Sequence, residues 1–227
     1  RTIHDISNAP FRTRFDSDYS LFARHDPCSG IGVISDTDDQ PLIFLSHHGK
    51  YALATVGLIT NLDKIIADLL KNRNSQFAAM QSGEITPTEV VGNLINSQAT
   101  LEDGFKFVQE TIQGSCSILL LAANNVLYAA RDKYGRTPIT IGRKEGAFCA
   151  ALESCSLPNL GFEPVRDIGP GEVVKITASG AETVVKPGTA MRLCSFLYVY
   201  FGYPASSYCD KNVEDARYRC GAMLAKS

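Results

Sequence analysis

Hydrophobic and polar positions along this chain fall into blocks of two different periods. Ser117 to Ala123, SILLLAA, is nearly all apolar, as a strand buried on both faces would be. Asn124-Asn125 suits a tight hairpin because Asn tolerates positive φ, and a second strand follows. A turn at Lys133-Tyr134-Gly135 then leads to a third strand ending near Gly142. Upstream, Gly30 to Ile34 and Leu42 to Leu45 read as short strands around the acidic turn Asp36-Thr37-Asp38-Asp39, and Tyr51 to Val56 as a strand ended by Gly57. Thr60-Asn61 should cap a helix whose stripe is Leu62, Ile65, Ile66, Leu69 and Leu70. Thr86-Pro87-Thr88-Glu89 supplies an N-cap, a first-turn Pro and a Glu, a capping box for a helix burying Val90, Val91, Leu94 and Ile95. Leu101, Phe105, Val108 and Ile112 mark a third helix. Ala147 to Leu152 reads as a strand, and Gly171 to Thr177 with Ala181 to Val185 as a hairpin around Ser179-Gly180. After the break at Pro187-Gly188 come a strand, Phe196 to Phe201, and a helix from Val213 to Ala225. Residues 1–29 show little periodicity. Strands, a block of helices, then antiparallel strands make an α+β protein.

Composition narrows the class. The 227 residues are 44% hydrophobic and 20% charged with net charge -2, which fits one large domain or two unequal ones. Without Lys/Arg clusters, a nucleic-acid or membrane-surface role is not expected. No apolar run reaches the roughly 18 residues needed to span a bilayer. Seven Cys without C-x-x-C pairs point to reduced thiols in a cytoplasm rather than a disulfide framework. The chain opens at Arg1 and closes at Lys226-Ser227, and both ends read as cuts.

Read residue by residue, most candidate chemistry has a structural explanation. Arg12, Arg14 and Arg24 among Asp16, Asp18 and Asp26 suggest a solvated face. Arg131-Asp132, at the end of an apolar strand, reads as a self-paired surface turn. His47-His48 on a strand would point to opposite faces and could not chelate together, and a turn or edge-strand role is expected rather than metal binding. Cys149 and Cys155 have no partner at zinc-site spacing. Asp36, Asp38 and Asp39 read as a solvated turn, lacking the Gly and Glu of a calcium loop.

Three ordered motifs, however, carry a resemblance. Ala130 to Gly142, ARDKYGRTPITIG, resembles the ARD-x-x-G-x-x-P-L-x-IG signature of class II glutamine amidotransferase domains. Phe162 to Ile176, FEPVRDIGPGEVVKI, is similar to the F-x-x-V-x-D-[IV]-x-PGE-[IV] signature that follows it. Cys194 to Pro204, CSFLYVYFGYP, resembles a C-x-x-E-Y-V-Y-F-A-R-P segment of the amidophosphoribosyltransferase family. The resemblance implies a four-layer αββα sandwich of the N-terminal-nucleophile hydrolase type. It places a glutaminase-like domain at 1–190 and the first strand and helix of a phosphoribosyltransferase domain at 191–227.

In that family an N-terminal Cys attacks the glutamine amide, with its own α-amino group as base. None of the seven Cys here is terminal. The A-L-x-H-N-G motif, whose Asn and Gly form the oxyanion hole, matches Ala52 to Asn61: Gly57 keeps the Gly, and Val56 stands at the Asn. The G-I-G-H-x-R motif, whose Arg holds the glutamine carboxylate, matches Gly30 to Ser35, with Ser35 at the Arg. The S-D-[ST]-E motif, whose Asp binds the ammonium, matches Thr86 to Glu89, with Pro87 at the Asp. The glutamine site is therefore expected to be degraded, with Gly57 left in the oxyanion position and Arg131 and Asp132 as substrate-binding candidates. Cys194 matches the first ligand of a [4Fe-4S] cluster. Such a cluster needs four thiolates, so cluster and Mg²⁺ belong to a complete protein rather than this chain.

The resemblance implies glutamine- or ammonia-dependent formation of phosphoribosylamine from phosphoribosyl pyrophosphate, in purine synthesis, by a cytoplasmic homo-oligomer. Its rivals are a non-catalytic assembly or regulatory module that kept the fold, and a fully active amidotransferase.

Overall fold

The computed structural model describes residues 1–4, 11–22, 29–36, 38–71, 77, 80–81 and 84–226. The charges at Arg24 and Asp26, the side chain of Arg12, and Thr37 lie outside the described residues. The elements in chain order are α1 (Phe11–Phe22), β1 (Leu42–Ser46), β2 (Gly49–Ile59), α2 (Leu62–Lys71), β3 (Met80–Gln81), β4 (Glu84–Ile85), α3 (Pro87–Asn96), α4 (Leu101–Thr111), β5 (Gly114–Ala122) and β6 (Leu127–Ala130). They continue with β7 (Thr140–Lys144), β8 (Ala147–Ala151), α5 (Ser156–Asn159), β9 (Glu163–Asp167), β10 (Val173–Thr177), β11 (Gly180–Val185), a π-helical turn at Leu197–Phe201, β12 (Ser207–Tyr208), β13 (Lys211–Asn212) and α6 (Val213–Leu224).

Six strands form an antiparallel sheet in the order β1-β2-β5-β6-β10-β11, and three form a second in the order β8-β7-β9. Alternation along the central strands explains how both faces of the larger sheet are buried. Leu53, Cys116, Ile118, Leu120, Tyr128 and Ala130 point one way, into a core completed by α2, α3 and α4. Leu119, Leu127, Ala129, Val174 and Ile176 point the other way and meet Ile139, Ile141, Phe148 and Ala150 of the smaller sheet. A helical layer and two stacked sheets result, with the one-turn α5 beside β9.

The capping box forms at its Thr: the Thr86 hydroxyl accepts from the Glu89 N–H, and Pro87 opens α3. Thr100 caps α4 in the same way. Gly92 of α3 is needed for close approach, because a Cβ there would run into the Phe44 ring, itself stacked on Tyr51 at 5.2 Å.

Several expectations give way. Residues 30–34 are not a strand, and Phe11–Phe22 is helical within a stretch that lacked periodicity. The strand from Tyr51 does not end at Gly57 but runs to Ile59, paired throughout with β5. Phe196 to Phe201 forms a π-helical turn rather than a strand, because Arg217 of α6 donates to the carbonyls of Tyr198, Tyr200 and Gly202. His47 and His48 do take the expected turn position, between β1 and β2, with rings 3.9 Å apart. Their Nε2 atoms meet the carbonyls of Gln98 and Ile95 beyond and within the end of α3.

Candidate functional site

One end of the larger sheet gathers most of the residues that the sequence singled out. Gly57 on β2 pairs with Cys116 on β5, and Val56 with Ser117. Gly57 has φ 150°, and a Cβ there would strike the Ser115 carbonyl, so a side chain is barred from the strand pair. Val56 presents a hydrocarbon that can donate no hydrogen bond. Cys116 is no nucleophile: burial first, and then the charge of Asp132, push its thiol up to about 12.

Beyond β6, Arg131 and Asp132 are 0% and 3% exposed, which overturns the self-paired surface turn. Arg131 is the largest of the fully buried side chains. Its Nε donates to the Thr137 carbonyl at 3.1 Å, Nη1 to Ile168 at 2.5 Å and Nη2 to Gly135 at 2.6 Å. The Asp132 carboxylate accepts from the Tyr134 and Thr137 N–H groups, both at 3.1 Å. Each residue thus shapes the loop to Ile139 rather than neutralising the other. Positive φ at Gly135, 64°, closes that loop on Asp132.

A second cluster lies at the N-terminal end of α3. Asp38 is 6% exposed, so the acidic segment is not a wholly solvated turn. The Thr88 hydroxyl donates to Asp38 Oδ2 at 2.6 Å and lies 2.7 Å from the Thr55 hydroxyl. Gln40 bridges the same groups, donating to Asp38 Oδ1 at 2.7 Å and accepting from the Thr55 N–H at 2.7 Å. Ser35 donates to Asp38 Oδ1 at 3.2 Å. A carboxylate at a helix N-terminus is favoured by the exposed N–H groups there.

The fold therefore brings together Ser35, Thr55 and Thr88 from the three matched motifs, 30–35, 52–61 and 86–89, through Asp38 and Gln40, which lie just beyond the first. Arg131 and Asp132 belong instead to the opposite side of β5, reached through β6. Asp38 and Gln40 were missed as a site pair. Their signal was an acid and an amide two residues apart, directly before Pro41 and downstream of Gly30-Ile31-Gly32. Cys194 is exposed, and the described residues contain no group of three or more His, Cys, Asp or Glu placed to hold a metal. One thiol does not fit a four-thiolate cluster.

Comparison with known proteins identifies the family and the fold. A family model described as a glutamine amidotransferase domain matches residues 29–158. Human amidophosphoribosyltransferase is 28% identical over 211 residues, covering 82% of this chain and 40% of the relative. The Bacillus subtilis amidophosphoribosyltransferase is 31% identical over 191 residues, covering 82% of this chain and 39% of the relative. Among solved structures, the B. subtilis glutamine phosphoribosylpyrophosphate amidotransferase complexed with ADP and GMP superposes with TM-score 0.73 at 30% identity, over 84% of this chain and 41% of that one. The chain thus spans about 40% of the length of these relatives.

Proposed function

Because the chain belongs to the glutamine amidotransferase domain family, we propose that it is the amidotransferase-type portion of an amidophosphoribosyltransferase-like protein of purine biosynthesis, with its glutamine site degraded. The observation that carries this reading is the Asp38 network. The positions expected to hold glutamine are Ser35, Val56 and Pro87. None offers a guanidinium, an amide donor or a carboxylate, and the nearby carboxylate of Asp38 is engaged by Thr88, Gln40 and Ser35 of the chain itself. Removing one oxyanion donor costs about 10²–10³ in rate, so a site short of all three groups should not turn glutamine over.

The parent protein would then form phosphoribosylamine from phosphoribosyl pyrophosphate with free ammonia. In this reading residues 1–190 complete a four-layer sandwich and 191–227 begin the phosphoribosyltransferase domain, in a cytoplasmic homo-oligomer. Any [4Fe-4S] cluster or Mg²⁺ would depend on residues outside this chain. The buried loop of Arg131 and Asp132 supports retention of the framework, and any contact they make to substrate would be made through that loop.

The test is intact-mass analysis of protein from the complete gene after treatment with a glutamine-analogue diazoketone. That reagent alkylates the nucleophilic Cys only where a glutamine site forms. Folded protein without an adduct is expected. A single adduct on the N-terminal residue would overturn the degraded-site reading.

A further inference from the structure

We propose that the loop after β6, together with Arg192, forms a binding site for a small, multiply charged phosphoryl anion. Three cations converge on one ring there. Arg192 Cζ lies 4.7 Å, Arg136 Cζ 5.1 Å and Lys133 Nζ 5.8 Å from the Tyr134 centroid. Cations gathered around one ring add to a common positive potential, and a chain with net charge -2 has carboxylates enough to neutralise them. Yet among the described residues none of the three forms an ion pair. The one carboxylate in the loop, Asp132, is buried and accepts backbone N–H groups, and it adjoins the equally buried Arg131.

The cluster is built rather than accidental. Lys133 and Arg136 come from one loop and Arg192 from another segment, joined by the Arg192 N–H donating to the Tyr134 carbonyl at 2.7 Å. Arg136 is further fixed by donating to the Gly114 carbonyl. Guanidiniums held against an aromatic face lose little further freedom when they accept a ligand. Lys133 and Arg192 are exposed, so the charge faces solvent. Lys133 and Tyr134 also border a small cleft lined by Asp132, Gln109, Gly114 and Cys116, and the two arginines lie outside it. Three convergent cations favour two linked phosphoryl groups over one, since each added negative charge gains from all three. The site is independent of the fate of Ser35, Val56 and Pro87.

Inorganic pyrophosphate is the probe, titrated calorimetrically into the full-length protein at constant ionic strength, with inorganic phosphate and sulfate as comparisons. Saturable binding of pyrophosphate, tighter than phosphate or sulfate and weakening as salt rises, is expected. Lys133→Gln and Arg192→Gln, both at exposed positions, should each weaken it by about tenfold, and Arg192→Lys by less. Equal affinity for sulfate, no saturable binding, or unchanged affinity in both Gln variants would overturn the site.

Discussion

The loop after β6 and the N-terminal end of α3 are both polar, both built around a buried carboxylate, and both resemble motifs of the same family, yet they hold different kinds of residue. In the loop, a whole arginine and a carboxylate are given over to carbonyls and N–H groups of the fold. At α3, hydroxyls, an amide and Asp38 bond to one another, and the positions expected to face a substrate carry Ser35, Val56 and Pro87. Framework residues cannot change without unfolding cost, because each leaves several backbone groups unsatisfied. Ligand-contacting residues carry no such cost when the ligand is no longer used. The difference teaches that a motif match at the loop certifies architecture, whereas the α3 rim speaks to glutamine chemistry.

The sharpest way to break this comparison is Arg131→Met. It fills similar volume but leaves the carbonyls of Ile168 and Gly135 without their side-chain donor and Thr137 with the Ser117 hydroxyl at 3.3 Å, so about 3–5 kcal/mol of stability should be lost. Urea melts measure it, and a loss below about 1 kcal/mol would show that the loop is not framework. Gly57→Ala comes next. Its Cβ would meet the Ser115 carbonyl at a backbone φ that side chains rarely adopt, and about 2 kcal/mol or more should go. That cost must appear whether or not glutamine binds, so it separates the strand pair from the oxyanion role.

How far the sequence foresaw this follows from the range of the interactions. The helices α2, α3 and α4 were legible because a 3.6-residue stripe is local, and the caps of α3 are spelled by adjacent residues. The β5–β6 hairpin was legible from Asn124-Asn125, and Asn125 indeed has φ 62°. The burial of Arg131 was not, since its acceptor Ile168 lies 37 residues away. Nor was the π-helical turn at Leu197–Phe201: its aromatic and β-branched residues favour strands, and only Arg217, 15 to 19 residues on, holds it in another shape. At the site, single positions such as Val56 could be read from the resemblance. The Asp38 network could not, because it depends on Thr88 lying 50 residues away.

Asp38→Ala sharpens the comparison from the other side. It removes the acceptor of the fully buried Thr88 hydroxyl, which keeps its contact with Thr55, so the cost should be about 1–3 kcal/mol. It should also be smaller than for Arg131→Met in the same urea series. A larger cost would make the α3 rim as much framework as the loop.

The smallest effect is a pH dependence that belongs to the loop's support. Glu172 gives its carbonyl to the Arg131 N–H at 3.0 Å and its buried carboxylate to Arg166 at 2.7 and 2.9 Å. Burial alone would raise that carboxyl. The Arg166 hydrogen bonds, with those from Thr183 and the Gly169 N–H, outweigh it and hold the group below its ordinary 4.5. A carboxyl whose folded value is depressed contributes stability above the unfolded value and loses it as pH falls through the folded one. The wild-type advantage over Glu172→Gln should therefore be constant near neutrality and shrink in acid, below about pH 4.5. Parallel urea melts of the two proteins from pH 7 to 3 measure this directly. A difference that stays constant to pH 3 would mean that the ion pair contributes nothing and that shape alone supports the loop.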